Sequence, residues 1–431
     1  MAIRSRSPRA AQRRGAITIQ MLVILGPVIL LFMGFAIDLG RLYLIRGELK
    51  QATNAMALAA ATRLNGTDLA IENSTAAMRL ALANANGLAN RYNFSSVSIG
   101  ESGDGFLTSE IRDAEFYDTA GAAAGEDAAA ATGQAGPTTS KYVRVSLTAD
   151  APLLFFGLLS LGQERKTPIA SLSVAGQSAP LCQACGIENL AIAAVDASDT
   201  VNFGFAANTR YTFRHQCLGN PQPQPLGNAP ISLNYLVINR FDEASTNFTD
   251  PSQQLFRIGQ NGLPGNTVSA VGCLTINGAE GIWAGSEPLQ CQFNQVPGPV
   301  RALLCGLGSR FDPSTLAAQC SIVPDVDTLA GNNVPDTDLS DLDDYAAYTG
   351  NGRRVITIPI VDALAPGGGM VVLGFRQFLV QPLPGGTEFN AADPTGRFVA
   401  SYIGSVVPLR QGRFDGNCGA TSGPGKVVLY R

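Results

Sequence analysis

The pattern of apolar and polar positions begins with one uninterrupted apolar run. Residues 16–37 contain no charged side chain. As a helix, this run would be about 33 Å long, which matches a membrane hydrocarbon core of about 30 Å. Five arginines precede it, namely Arg4, Arg6, Arg9, Arg13 and Arg14. Because positive charge is retained on the cytoplasmic side, the pattern predicts a transmembrane helix over 16–37 behind a basic cytoplasmic tail, residues 1–15.

Helical spacing of apolar residues continues beyond this run. Leucine, alanine and methionine recur at that spacing from residue 39 to residue 59, and residues 48–63 are strong helix formers. Asn65 and Gly66 are typical of a helix end. A second amphipathic helix is expected over residues 68–92. These two segments predict a helical stalk that continues the membrane helix.

From residue 94 the period changes to two, which is typical of strands. Residues 142–148 alternate regularly, and residues 168–176 predict another strand. Between them, residues 152–162 form an apolar run too short to span a membrane, which indicates a buried or membrane-surface helix. Residues 119–140 are of low complexity and predict a loop.

Beyond Pro180 the chain becomes rich in cysteine and in regular Gly and Pro turns. Short strand candidates recur to the end, so residues 180–431 are expected to form a β-rich ectodomain, sandwich-like or irregular. Residues 38–178 form the preceding helical and α+β ectodomain. The predicted fold class is therefore a bitopic membrane protein with a transmembrane helix and helical stalk, a small α+β domain and a mainly-β, disulfide-bonded ectodomain.

The cysteines support this topology independently. All of them fall on the side that the arginines assign to the outside, where disulfides persist. The disulfide candidates are Cys182, Cys185, Cys217, Cys273, Cys291, Cys305, Cys320 and Cys418. Eight cysteines allow 105 pairings, and the sequence does not choose among them. The Cys182-x-x-Cys185 spacing also fits a redox pair or, with His215, a zinc site, but an oxidising compartment favours structural disulfides.

Charge narrows the choice of partners. The formal net charge is −4. Because the five N-terminal arginines are positive, the rest of the chain carries about nine net negative charges. An acidic ectodomain argues against nucleic acid as a partner.

The densest acidic run lies between residues 325 and 344. Asp325 and Asp327 begin it, and hard carboxylate oxygens of this kind suit Ca²⁺. The EF-hand pattern fails, because Leu329 occupies the third ligand position and the closing glutamate is missing. The two interpretations are a calcium-stabilised loop and a solvated acidic loop. We expect no other cofactor.

The sequence offers no catalytic constellation. The chain has one histidine, His215. Nothing around any serine supports a nucleophile system, and no phosphate-binding or dinucleotide fingerprint is present. We therefore predict no catalytic residue and a protein that is not an enzyme.

Residues 13–62 resemble the N-terminal segment of TadG-like proteins of Flp (tight adherence) pilus assembly, of the TadE/TadG family. The resemblance comprises the basic residues before the apolar run, the run itself, the Asp-Leu-Gly-Arg-Leu-Tyr box at 38–43 and the alanine-rich helix that follows. Within the box, the membrane-exit motif consists of Asp38, Gly40, Arg41 and Tyr43. A weaker resemblance continues to about residue 175, through the strands around 142–148 and 169–175.

The related TadE-like pseudopilins carry a prepilin-peptidase site with a glutamate at the fifth position after the cut. By that resemblance, cleavage would fall between Gly15 and Ala16, and the fifth residue is Gln20. Gln20 offers no charge to neutralise a neighbouring subunit's N-terminal amine inside the membrane. This departure favours an uncleaved anchor.

The resemblance implies a structural, non-enzymatic component of a Flp/Tad-type pilus or secretion apparatus. It would be a single-pass protein of a bacterial inner membrane, with a cytoplasmic N-terminus and a periplasmic or extracellular ectodomain that contacts other pilus-assembly or envelope proteins. One alternative is a processed minor pseudopilin within the fibre. Another is a membrane-tethered adhesion or ligand-binding domain that depends on calcium.

Overall fold

A computed structural model gives the structure of the chain. It describes residues 9–82, 109–125, 135–153, 155, 166–216, 224–238, 251–261, 273–277, 282–283, 298–311, 316–330, 334–365, 369–383, 389–414 and 418–430.

The first helix, α1, is a single element from Arg9 to Ala61 that includes Pro27. At 53 residues it is about 80 Å long. Among the described helices, one segment is long and apolar enough to cross a membrane, Ile19–Ala61 of α1. The predicted continuation of the membrane helix into a stalk is therefore confirmed.

A turn containing Gly66 leads from α1 into α2, Ala70–Leu82. Gly66 has a φ of 80°, a left-handed conformation that glycine adopts without a Cβ clash. The hydroxyl of Ser74 donates a hydrogen bond to the Ala60 carbonyl oxygen at 3.0 Å, which joins the two helices. Residues 83–92 of the predicted second helix lie outside the described residues.

Beside α1 lies an antiparallel sheet. Its first strands are β1 (Ser109–Tyr117), β2 (Tyr142–Pro152) and β3 (Lys166–Gln177). The strands predicted over 142–148 and 168–176 are β2 and β3. The low-complexity stretch expected as a loop contains a short helix, α3 (Ala120–Ala124), because the Thr119 hydroxyl caps its first turn.

The remaining described elements follow in chain order. The strands are β4 (Gln183–Ala184), β5 (Leu190–Ala193), β6 (Arg210–His215), β7 (Ile231–Val237), β8 (Leu274–Thr275), β9 (Ile282–Trp283), β10 (Val355–Val361), β11 (Gly369–Met370), β12 (Val372–Gln381), β13 (Phe398–Gly404), β14 (Gly412–Arg413) and β15 (Val427–Leu429). The helices are α4 (Pro251–Asn261), α5 (Gly298–Gly308), α6 (Leu316–Gln319) and α7 (Val326–Ala330).

Six of these strands form a closed barrel in the order β10-β12-β13-β6-β7-β5. The pairs β6–β7 and β10–β5 are parallel, and the other four pairs are antiparallel. The β-rich prediction is confirmed, but the arrangement is a barrel and not the sandwich-like or irregular one expected. A closed barrel leaves none of these strands at a free edge.

Aromatic rings fill much of the barrel core. The rings of Phe213 and Phe398 stack with centroids 4.8 Å apart, and Phe378 meets Phe213 edge to face. Helices α4 and α5 pack closely against each other outside these strands. A Cβ atom at Gly306 would overlap the Phe256 carbonyl oxygen, so the contact requires glycine.

The last strand returns to the first sheet. β15 pairs with β3 in an antiparallel register, and the sheet order is β1-β2-β3-β15. The predicted regions on either side of Pro180 therefore share one sheet. Their boundary stays a prediction.

Candidate functional site at the membrane exit

Helix α1 separates the residues of the membrane-exit motif. Asp38 is only 3% exposed, whereas Tyr43 is 79% exposed and Gly40 faces open space. Arg41 is half-buried. The motif therefore does not converge on one point. Its carboxylate faces the rest of the protein, and Gly40 and Tyr43 face outward.

Asp38 binds a distant part of the chain. The backbone N–H of Phe155 donates to both carboxylate oxygens of Asp38, at 3.1 and 3.0 Å. A buried carboxylate is costly unless donors compensate for lost water, and this N–H supplies one. The contact spans 117 residues of sequence and fixes the segment after β2 to the membrane end of the stalk.

Gly34 completes the contact, one helical turn before Asp38. A Cβ atom added at Gly34 would overlap the ring of Phe155, whereas one at Gly40 would meet nothing within 4 Å. The ring therefore rests directly on the α1 backbone. Sequence reasoning missed both Gly34 and Phe155. The available signals were the four-residue spacing of Gly34 and Asp38 on one helix face and the apolar run after β2.

Beyond this junction, α1 packs on the sheet along one face. Ile45, Leu49, Ala52 and Met56 are buried at helical spacing. Hydrogen bonds of 2.7, 3.0 and 2.6 Å join Lys50 to Leu172, Thr53 to Ser171 and Asn54 to Ser173. Apolar burial and these polar links together hold β3 against the helix. The first sheet is thus built against the continuation of the membrane helix.

The predicted processing site lies within the same helix. Gly15 and Ala16 belong to the continuous α1, and Gln20 is exposed on it. The structure therefore locates the Gly15–Ala16 peptide bond within a helix but does not test whether the bond is cut. Cleavage stays a prediction.

Six of the eight cysteines form three pairs at disulfide distance. The pairs are Cys182–Cys418, Cys185–Cys273 and Cys305–Cys320. The two cysteines of the Cys-x-x-Cys spacing therefore bind different partners, which disagrees with a redox pair or a zinc site there. Cys217 and Cys291 lie outside the described residues.

The acidic run divides into two environments. Asp325 and Asp327 are exposed, at the turn before α7 and in its first turn. Asp336 faces inward and accepts hydrogen bonds from the Tyr348 hydroxyl and the Arg354 backbone N–H. Within the described ranges, no group of three or more His, Cys, Asp or Glu side chains could hold a metal ion. A calcium loop at Asp325 and Asp327 stays a prediction.

Buried charge inside the ectodomain was not predicted. Arg310 pairs with Glu188, and both side chains are almost completely buried. Burial raises the pKa of Glu188, and the positive charges of Arg310 and Arg353 oppose that rise. Arg376 lies over the ring of Phe203, 4.4 Å from its centroid. Arg376, on β12, also donates to the carbonyl oxygens of Thr200 and Val201 and so fixes that loop to the barrel.

His215 is also buried. Its ring meets Tyr235 edge to face with centroids 5.6 Å apart. Burial lowers the pKa of His215 to about 4, because the charged imidazolium loses hydration. This environment is that of a structural residue in the barrel core.

A long apolar helix joined to a β-rich region with paired cysteines defines a bitopic, membrane-anchored protein. More particularly, residues 15–63 match the model of a family described as putative Flp pilus-assembly TadE/G-like. This match confirms the resemblance of the N-terminal region and supports a role in pilus assembly. Comparison with curated proteins and with solved structures gave no match.

Proposed function

We propose that this protein is a structural, non-enzymatic component of a Flp/Tad-type pilus or secretion apparatus. It is anchored permanently in a bacterial inner membrane by α1, with residues 1–15 in the cytoplasm. Its ectodomain contacts other pilus-assembly or envelope proteins on the periplasmic side. Its work is assembly, through helix packing in the membrane and surface contact outside it.

The continuity of α1 supports this proposal most directly. The family match covers residues 15–63, and the same helix carries both the membrane span and the face that packs on the sheet. A force or displacement at the ectodomain therefore reaches the membrane span without a flexible linker between them. Such coupling suits a component that positions partners relative to the bilayer.

The first test is the intact mass and N-terminal sequence of the protein from native membranes. Retention of the residues before Ala16 supports a permanent anchor. A start at Ala16 would instead indicate a processed minor pseudopilin and move the protein into the fibre. A start beyond Asp38 would contradict the anchor itself.

The second test concerns the role. Protease added to spheroplasts should degrade the ectodomain and leave a protected fragment ending near the start of the stalk. Deletion of the coding sequence in the native host should abolish pili in electron micrographs, and the intact chain should restore them. Normal pili in the deletion strain would contradict the proposed role.

A further inference from the structure

The contact between Phe155 and α1 lies at the end of the uncharged apolar run of α1. The apolar span ends at Ile37, so Asp38 marks its outer limit. Gly34 lies four residues earlier, which is about 6 Å deeper along a helix. Because the ring of Phe155 rests on Gly34, it reaches below the level of Asp38 while its backbone N–H binds that carboxylate.

Exposed apolar side chains of α1 lie at the same depth as Phe155. Phe155 and Leu153 are only partly buried. On α1, Phe35 and Ile37 are 47% and 58% exposed at the same level. Exposed apolar side chains inside the span of a membrane helix face acyl chains, and the ectodomain segment shares that height.

The sequence of this segment suits the same environment. No charged residue occurs from residue 151 to residue 162, between Asp150 and Glu164. Tyr43, about 7 Å above Asp38 along α1, projects at the height where tyrosines line the membrane interface. The contact at Phe155 thus joins an uncharged stretch of sequence to the lipid-facing part of α1.

We propose that the segment after β2, at Leu153 and Phe155, is a second membrane contact that inserts into the outer rim of the phospholipid bilayer beside α1. Its ligand is the upper part of the acyl chains. Asp38 and Gly34 fix its depth: the carboxylate holds the backbone at the membrane edge, and the glycine admits the ring below it. The ectodomain then touches the membrane at two points and does not swing about one helix.

Depth-dependent fluorescence quenching tests this proposal in the full-length protein. The single tryptophan is removed by Trp283→Phe, and Leu153→Trp places a new one in the segment. The protein is reconstituted in phosphatidylethanolamine and phosphatidylglycerol vesicles containing lipids brominated high or low on the acyl chain. Ile29→Trp, inside the span, is the positive control, and Val195→Trp, exposed in the β-rich region, is the negative control.

Tryptophan at position 153 should lose most of its fluorescence with lipids brominated high on the chain, and less with lipids brominated low. Position 29 should be quenched and position 195 should not. Quenching at 153 no stronger than at 195, with 29 quenched, would overturn the proposal, because the segment would then not contact acyl chains. Absence of quenching at both 153 and 29 would overturn it together with the membrane anchor.

Matched glycine variants test how the depth is set. Gly34→Leu should displace Phe155 and reduce quenching at position 153, while position 29 stays quenched. Gly40→Leu, on the same helix but facing open space, should change neither. Equal quenching at 153 in the Gly34 and Gly40 variants would contradict the role assigned to Gly34.

Discussion

Replacing Asp38 with alanine should free the backbone of Phe155. The Asp38 carboxylate accepts the Phe155 N–H at 3.1 and 3.0 Å. Because a single N–H donates to both oxygens, it counts as one charge-assisted hydrogen bond. Such bonds contribute about 1.5–3 kcal/mol, so the variant should open this contact about 10- to 150-fold more often.

Amide hydrogen exchange of the full-length protein in nanodiscs measures this opening. The peptide that contains Phe155 should exchange faster in Asp38→Ala by that factor. Peptides from the centre of β2 should be unaffected, since Val145 is buried against α1 and far from the change. Asp38→Asn keeps a neutral acceptor and should show a smaller effect.

A matched control separates the hydrogen bond from a general weakening of the helix. Arg46→Ala changes an exposed position of α1 about two helical turns beyond Asp38 and should leave Phe155 exchange unchanged. Exchange at Phe155 that is equal in the Asp38→Ala variant and the unchanged protein would refute the reasoning. Equal acceleration by Arg46→Ala would show that the helix, and not the carboxylate, determines protection.

Three further predictions concern the β-rich region. Burial lowers the pKa of His215 to about 4, so between pH 6.5 and pH 4 the unfolded chain binds a proton at His215 and the folded chain does not. The contribution of His215 to the free energy of unfolding is therefore fully present above pH 6.5 and falls by about 3 kcal/mol towards pH 4. His215→Gln should remove that part of the pH dependence in urea unfolding, and identical slopes would contradict the assignment. The double variant Cys182→Ser/Cys418→Ser opens a link between residues 236 apart and should cost up to about 5 kcal/mol, seen as a lower denaturation midpoint; an unchanged midpoint would show that the link adds no stability. Arg310→Met leaves the buried Glu188 uncompensated and should cost about 3–5 kcal/mol, whereas adding Glu188→Leu should recover most of it in a double-mutant cycle; additive losses would argue against the pair.

The elements whose sequence signals are local, such as α1 and β2, were predictable from the sequence. α1 follows from an uncharged apolar run joined to strong helix formers, and both signals are local. β2 alternates in sequence and alternates in burial, with Val143, Val145 and Leu147 buried. Its alternation indicated the strand from Tyr142 onward, although β2 continues past the predicted end at residue 148 to Pro152.

The barrel could not be recognised in the same way. Every residue of β10 is buried, so neither face of the strand is marked by exposed polar side chains. Its neighbours are β5, far earlier in the chain, and β12, and one of these pairings is parallel. Closure is a property of all six strands together, and no single strand's sequence expresses it.

Long-range pairing also determined what was missed at the candidate sites. The exit motif identified Asp38, but its donor lies 117 residues away in an apolar run that resembles any buried segment. The acidic run resembled a single loop, although Asp336 and Asp338 turn towards Arg354. Burial would raise the pKa of Asp338, but hydrogen bonds from Thr349 and Ser340 and the charge of Arg354 lower it overall. Sequence proximity alone cannot separate these residues from the exposed Asp325.

The return of β15 to β3 sets an order for events during synthesis. The Tyr430 hydroxyl donates to the Gln177 carbonyl oxygen across a sequence separation of 253 residues. At about 5–20 residues per second, the ribosome needs roughly 13–50 s to supply β15 after β3 has emerged. Throughout that interval this end of β3 lacks its partner and is open to strand pairing with other chains. Completion of the membrane-proximal sheet therefore reports that the chain has been translocated as far as β15.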